Sequence, residues 1–199
     1  MATCIYYLLM QRQAGLLEMP KLSRWAGASD AAASSETAGI GGWISEGQPT
    51  DKSKVEWFAF RPTSSSHNWM FDKKTPQQRI AALEMYGTLL LFIALSRKAS
   101  QTGATIHLPM RTDNQGNAYS ILKDSTKRWP GSAVLMEICV QAHLTSCCPA
   151  IEHVGRDSNT WADELSNIKT LGFSPELQIP VESLEKELLA LPIIFTLGD

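Results

Sequence analysis

The predicted order of secondary structure is the feature that most limits how this chain can fold. Three short strands come first, and successive short strands predict an antiparallel meander. Helices then separate the later strands, which predicts parallel pairing. The sequence therefore predicts an α/β fold with a mixed five-stranded sheet, three antiparallel strands and then two parallel ones, flanked by helices. The strands are expected at 22–29, 39–45, 55–60, 105–110 and 149–154, and the helices at 75–97, 115–123, 132–144 and 159–167.

Length and composition favour a single compact domain. The chain has 199 residues, 44% of them hydrophobic, which suffices for one core and a short appendage. We expect an N-terminal extension at 1–20, the domain at 21–168, and a C-terminal extension at 169–199 with a short helix at 182–189. The apolar segment 5–10 is too short to span a membrane and lacks a basic leading segment, so neither membrane association nor a targeting signal is predicted.

Charge and cysteine content narrow the class of protein further. The formal net charge of -2 excludes a histone-like binder that holds polyanions by bulk electrostatics. The cysteines at positions 4, 139, 147 and 148 form no disulfide framework, which favours reduced thiols and an intracellular location, cytoplasmic or nuclear. Any nucleic-acid partner must be held locally.

Four acidic residues occupy the places where an open sheet usually binds ligands. Asp30 is expected at the end of the first strand and Asp113 at the end of the fourth, while Glu84 lies in the long helix and Asp163 in the last one. Clustered carboxylates repel one another, and Mg²⁺ with its preference for oxygen ligands relieves that repulsion. A pair of such ions suits phosphodiester cleavage.

Each acid also has a purely structural explanation. Asp30 and Asp113 are suited to turns, Glu84 to a solvated helix position, and Asp163 to the first turn of a helix. Glu84 fits this explanation least well, because it lies at the edge of the apolar stripe rather than opposite it.

Four segments of the sequence carry a family resemblance. They are WAGASDAAASSETAGIGGWI at 25–44, RIAALEMYGTLL at 79–90, RTDNQGNAYSIL at 111–122 and IEHVGRDSNTWADELSN at 151–167. Together they resemble the ribonuclease H family, in the form found in reverse-transcribing retroelements. The last segment is the most specific, because His153, Asn159 and Asp163 match a loop histidine, an asparagine and the final aspartate of that family. The TDN motif at 112–114 is the next most specific.

The resemblance implies an endonuclease that hydrolyses the RNA strand of RNA/DNA hybrids by a two-metal-ion mechanism. It implies that the four acids bind two Mg²⁺, with Mn²⁺ able to substitute, and that His153 assists proton transfer or product release. Gln115 would read the 2′-hydroxyl in the minor groove, which marks RNA. The partners would be the hybrid and a reverse transcriptase domain in a parent polyprotein. The remaining predicted substrate contacts are Asn114, Asn159, and Trp129 in a loop beside two cations.

Several alternatives stay open at this point. The domain could be a catalytically silent connector, although such domains typically lose one of the acids, or an exonuclease of the same broad fold. About nineteen residues separate Asp113 from Ser132, so the basic protrusion of many cellular members is absent and weak hybrid affinity is expected. The histidines and cysteines near the fifth strand do not predict a zinc site, because their spacing fits no standard zinc pattern. They are His143, Cys147, Cys148 and His153. Packing is favoured over base stacking for Trp25, Trp43 and Trp57.

Overall fold

A computed structural model describes residues 21–71, 75–99 and 105–196, with only the backbone of the last two; the expected extension at 1–20 lies outside these residues. Six strands and seven α-helices are present in the described part. The strands are β1 (Lys21–Leu22), β2 (Trp25–Ala33), β3 (Ala38–Glu46), β4 (Glu56–Phe60), β5 (Ile106–Thr112) and β6 (Cys147–His153). The helices are α1 (Asn68–Phe71), α2 (Ile80–Ser96), α3 (Gln115–Leu122), α4 (Gly131–Thr145), α5 (Thr160–Ser166), α6 (Val181–Glu185) and α7 (Ala190–Thr196).

One mixed sheet organises the molecule. β3 lies between β2 and β4 and pairs antiparallel with both. β5 runs parallel to β2, and β6 runs parallel to β5 along the whole of its length. The predicted fold class, three antiparallel strands followed by two parallel ones, is therefore confirmed. β1 adds a two-residue parallel pairing with the start of β5.

The first predicted strand differs from the observed one, and Asp30 lies inside the observed strand instead of at its end. β1 and β2 are separate, and β2 continues to Ala33 because Asp30–Ala33 pair with Gly41–Ala38 of β3. The turn is short and is closed by the Ser34 N–H, which donates to the Thr37 carbonyl at 2.8 Å. The prediction that Asp30 ends the strand is thus wrong, since small alanines pair in a hairpin as readily as they form a turn.

The long helix begins later than the sequence predicts. Thr75 and Gln78 form a capping box around a 3-10 turn, Pro76–Arg79, and the α-helix proper begins at Ile80. Together these 21 residues are long and apolar enough to cross a membrane, with a mean hydropathy of 1.5 over an 18-residue stretch, yet 78% of that 18-residue stretch is buried inside the protein. It is the core helix, covering one face of the sheet with α4.

The opposite face of the sheet carries α5 in very close contact. A Cβ atom at Gly41 would lie 2.4 Å from the Leu165 carbonyl carbon, and one at Gly39 would lie 2.0 Å from the Ser166 oxygen. Glycine at these two positions is what lets α5 reach β3, as expected for a glycine-rich strand. Trp43 and Trp57 are buried in the small core beneath α5, so packing explains them.

The C-terminal segment lies against the rest of the fold. The Trp57 indole donates to the Ser174 carbonyl at 2.8 Å, and the Ile179 N–H donates to the Trp57 carbonyl at 2.7 Å. The helix expected at 182–189 is shorter, ending at Glu185, and α7 follows it unpredicted. α1 lies between β4 and the long helix, where the sequence predicts no helix. The boundary between domain and extension at 168 stays a prediction.

Candidate active site

Asp30 lies on β2, and Asp113 directly follows the end of the adjacent strand β5. Ala28 of β2 pairs with Arg111 of β5, and each acid comes two residues later along its chain, so the two acids lie side by side. Asp30 is 5% exposed, and the Ser166 hydroxyl donates to its Oδ2 at 2.9 Å. Burial raises the pKa of Asp30 to about 6 against the opposing Ser166 hydrogen bond, and the charges of Asp113 and Asp163 raise it further.

Glu84 faces the same two carboxylates from the first turns of α2. Burial raises its pKa to about 7; a hydrogen bond from the Asn114 side chain opposes this, while the charges of Asp30 and Asp113 add to it. Within the described part of the chain, its buried Oε2 has no hydrogen-bond partner. A buried carboxylate oxygen without a donor is costly, and a bound cation would remove that cost.

Asp163 completes the cluster from α5, where the Arg156 Nη2 lies 3.3 Å from its Oδ1. Hydrogen bonding to Asp163, and then the charges of Asp163, Asp113 and Asp30, raise the pKa of Arg156. Sequence reasoning missed Arg156 and Ser166. The available signals were the position of Arg156 between His153 and Asp163 and the serine of the Ala-Asp-Glu-Leu-Ser motif.

The side chains of this cluster are of the kind that bind Mg²⁺, but they are not arranged around a single ion position. All four side chains offer carboxylate oxygens, and the orphaned Glu84 Oε2 fits a cation ligand. As arranged, with Ser166 on Asp30 and Arg156 on Asp163, no three His, Cys, Asp or Glu side chains among the described residues form a group that could hold an ion. The same finding gives no support to zinc at the His/Cys cluster, and Cys139, Cys147 and Cys148 form no disulfide with one another.

His153 ends β6 beside the acids. Its Nε2 donates to the Asp113 carbonyl oxygen at 3.2 Å, and the side chain is exposed. The loop that follows is a 3-10 turn, Arg156–Ser158, rather than irregular chain. This geometry leaves the imidazole within reach of the cluster, while its role in proton transfer stays a prediction.

The two asparagines are engaged inside the protein. The Asn114 Oδ1 accepts the Asn117 N–H at 2.9 Å, which caps α3, and its amide hydrogen-bonds Glu84. Asn159 is 2% exposed, and its Nδ2 donates to the Ser29 carbonyl at 3.3 Å. Both side chains thereby position the elements that carry acids; contact with a substrate stays a prediction for both.

Gln115 and Trp129 are the exposed members of the predicted set. Gln115 opens α3 directly after Asn114, and Trp129 is 51% exposed with its carbonyl accepting from Arg79 at 3.0 Å. A groove of about 780 Å³ runs from Asn114 past Ala82 to Trp129. Because Asn114 lines this groove and its side chain hydrogen-bonds Glu84, the groove adjoins the acid cluster.

The fold is shared with solved ribonucleases H. LC11 ribonuclease H1 from compost, solved with an RNA/DNA hybrid, is 15% identical over 72% of this chain and 94% of its own, with a TM-score of 0.50. Ribonuclease H1 of Halobacterium salinarum is 18% identical over 74% and 97%, with a TM-score of 0.45. The foamy virus protease-reverse transcriptase is 14% identical over 79% and 22%, with a TM-score of 0.40. No protein-family model and no curated protein matches the sequence. The chain has the ribonuclease H fold.

Proposed function

We propose that this protein is a metal-dependent ribonuclease H that cuts the RNA strand of RNA/DNA hybrids. The observation that carries the proposal is the convergence of Asp30, Glu84, Asp113 and Asp163 at one point of a ribonuclease H fold. Structural carboxylates are normally satisfied by donors, whereas Glu84 keeps a buried oxygen without one. Perturbed carboxylates grouped in this way are typical of functional sites.

The four acids would hold two Mg²⁺ ions, and Mn²⁺ would substitute. When bound, such ions supply an activated water and stabilise the leaving oxygen of the phosphodiester. Asp30 and Glu84, with pKa values of about 6 and 7, would release protons as the cations bind. His153 would carry a proton for the departing product, and Asn114 would keep Glu84 oriented.

Recognition of the hybrid would use the exposed residues around α3. Gln115 would contact the 2′-hydroxyl of the RNA strand, because an amide both donates to and accepts from it. Trp129 would contact the duplex along the groove that begins at Asn114. With no basic protrusion between Asp113 and Ser132, affinity would be weak without a neighbouring domain.

The retroelement setting rests on the four sequence segments that resemble that branch of the family. We propose an intracellular protein whose partner is a reverse transcriptase domain of the same polyprotein. Residues 21–168 would form the catalytic unit, and 169–199 would form an extension whose Ser174 carbonyl accepts a hydrogen bond from the Trp57 indole.

The test is a cleavage assay with labelled RNA/DNA hybrid, single strands and both homoduplexes, in Mg²⁺, in Mn²⁺ and in excess chelator. We expect cuts only in the RNA of the hybrid, and only with metal. Asp113→Asn keeps the side-chain shape but removes a charge, so it should fold normally by circular dichroism and lose activity. Full cleavage by that variant or in chelator would overturn the proposal, and hybrid binding without any cleavage would favour a silent connector.

A further inference from the structure

A small pocket lies on the same face of the sheet as the acids and is not used by the proposed mechanism. Its volume is about 140 Å³, and Arg111, Trp43, Trp161, Ser158 and Thr160 line it together with the loop at Gln48. Arg111 lies near the end of β5 and precedes Asp113 by two residues, so their Cα atoms are roughly 7 Å apart. A nucleic-acid strand that runs over the acid cluster could therefore also reach this pocket.

The walls of this pocket are held by the folded core. Trp43 is 7% exposed and pairs across the sheet with Ala28, which in turn pairs with Arg111, so Trp43 and Arg111 share one row and one face. Trp161 packs edge-on against Trp43, with 5.7 Å between ring centroids. The two indoles fix the depth of the pocket without a loop having to move.

The polar groups of the pocket are of the kind that bind phosphate. The Arg111 Nε is 3.8 Å from the Glu152 carboxylate, whose side chain is 69% exposed, so this ion pair is solvated and weak. Among the described residues, no hydrogen bond engages the hydroxyls of Ser158 and Thr160. Arginine, serine, threonine and glutamine side chains are those that contact nucleic-acid phosphates.

We propose that this pocket binds a single backbone phosphate of the nucleic-acid strand that runs over the acid cluster. The inference rests on the proposed function, which supplies the nucleic-acid partner, and it adds a second point at which the protein holds the hybrid. The volume is below the roughly 300 Å³ of ordinary ligand sites, so it takes one group rather than a whole nucleotide. Arg111 supplies the charge, and Ser158 and Thr160 supply neutral donors.

The test combines Arg111→Gln with hybrids in which one phosphate at a time is replaced by a neutral methylphosphonate. Binding is measured by fluorescence anisotropy in the Asp113→Asn background. Arg111→Gln should weaken binding about tenfold and lower the salt slope by about one. The protein that keeps Arg111 should bind a hybrid with one particular neutral linkage about tenfold more weakly than the unmodified hybrid. The Arg111→Gln variant should bind these two hybrids equally well. Arg111→Lys should recover part of the binding.

Lys186→Gln is the matched control, since it removes one exposed positive charge outside both the pocket and the acid cluster. If Arg111→Gln binds hybrid like Lys186→Gln, with melting temperatures equal, the phosphate site is overturned while the proposed nuclease stands. If inorganic phosphate quenches tryptophan fluorescence through Arg111 but no linkage matters, the pocket serves a free anion and the inference also fails. Absence of both hybrid binding and cleavage in the otherwise wild-type protein would overturn both proposals.

Discussion

Two pairs of buried or half-buried carboxylates in this molecule have opposite surroundings. Asp30 and Glu84 face other acids, and burial together with those charges raises both pKa values. Glu137, under the C-terminal segment, and Glu185, within it, accept hydrogen bonds from protein donors. Burial alone therefore does not mark a functional carboxylate; the difference lies in whether the protein itself satisfies the charge.

The C-terminal pair shows what a structural carboxylate looks like. Glu137 is fully buried in α4 and accepts the backbone N–H groups of Leu189, Ala190 and Leu191 at 2.6 to 3.1 Å, as well as the Gln141 amide. It thereby caps the start of α7. Burial would raise the pKa of Glu185, but hydrogen bonds from His67 and Tyr86 outweigh it and hold the pKa below its usual range.

The largest effect should come from breaking this C-terminal anchor. Glu137→Ala would leave three backbone N–H groups without an acceptor, and we expect a loss of about 4 kcal/mol in the free energy of unfolding. Urea denaturation would measure it, with Glu182→Ala as an exposed glutamate control. Equal stability of the two variants would mean that α7 is not fastened through Glu137.

The sequence predicted the sheet because its information is local. Alternation and turn residues identify the strands and their parallel or antiparallel character. The pairing of β2 with β5, which brings Asp30 next to Asp113, joins distant parts of the chain and is given by the structure. α7 was not predicted, because the acceptor that caps it stands 53 residues earlier, in Glu137. Such a partner leaves no sign in the residues of the helix itself.

The same limit applies to the acid cluster. The motifs sufficed to choose its members, but they could not predict that the pKa of Glu84 is raised and that of Glu185 lowered. Both are glutamates in amphipathic surroundings, and only the tertiary contacts with Asp30 and Asp113, or with His67, separate them.

The second effect concerns catalysis at the acid cluster. His153→Ala should reduce turnover about 100-fold, as expected when general acid-base assistance is lost, while metal binding and single cuts persist. The deficit should be larger in Mg²⁺ than in Mn²⁺ if slow product release is the cause. Single- and multiple-turnover kinetics would separate these steps, with His143→Ala on α4 as control. Unchanged turnover would show that His153 only ends its strand and takes no part in proton transfer or product release.

The third effect is a pH dependence of stability with opposite signs in the two regions. Because the folded pKa of Glu84 is raised to about 7, the folded state holds its proton longer than the unfolded chain. Metal-free protein should therefore lose about 2 kcal/mol through Glu84 as pH rises from 4.5 to 7. The lowered pKa of Glu185 acts the other way, and its contribution is lost on acidification.

Urea midpoints between pH 4 and 8 would measure this dependence in chelator and in Mg²⁺. Glu84→Gln should flatten the fall toward neutral pH, and Mg²⁺ should reverse it by binding only the folded state. A stability that rises steadily to pH 7 in chelator, and is the same in Glu84→Gln, would contradict the assigned surroundings of Glu84.

The smallest effect concerns Arg156, a cation whose side chain contacts Asp163 of the acid cluster. Its side chain is 79% exposed, so its contact with Asp163 is weak and readily displaced. A bound metal would compete with it for the same carboxylate. Arg156→Gln should therefore lower the Mn²⁺ concentration needed to raise the melting temperature by about threefold, whereas Arg156→Lys should behave like the original protein. A higher metal requirement in Arg156→Gln would show instead that Arg156 helps to hold Asp163 in position for the ion, as Asn114 does for Glu84.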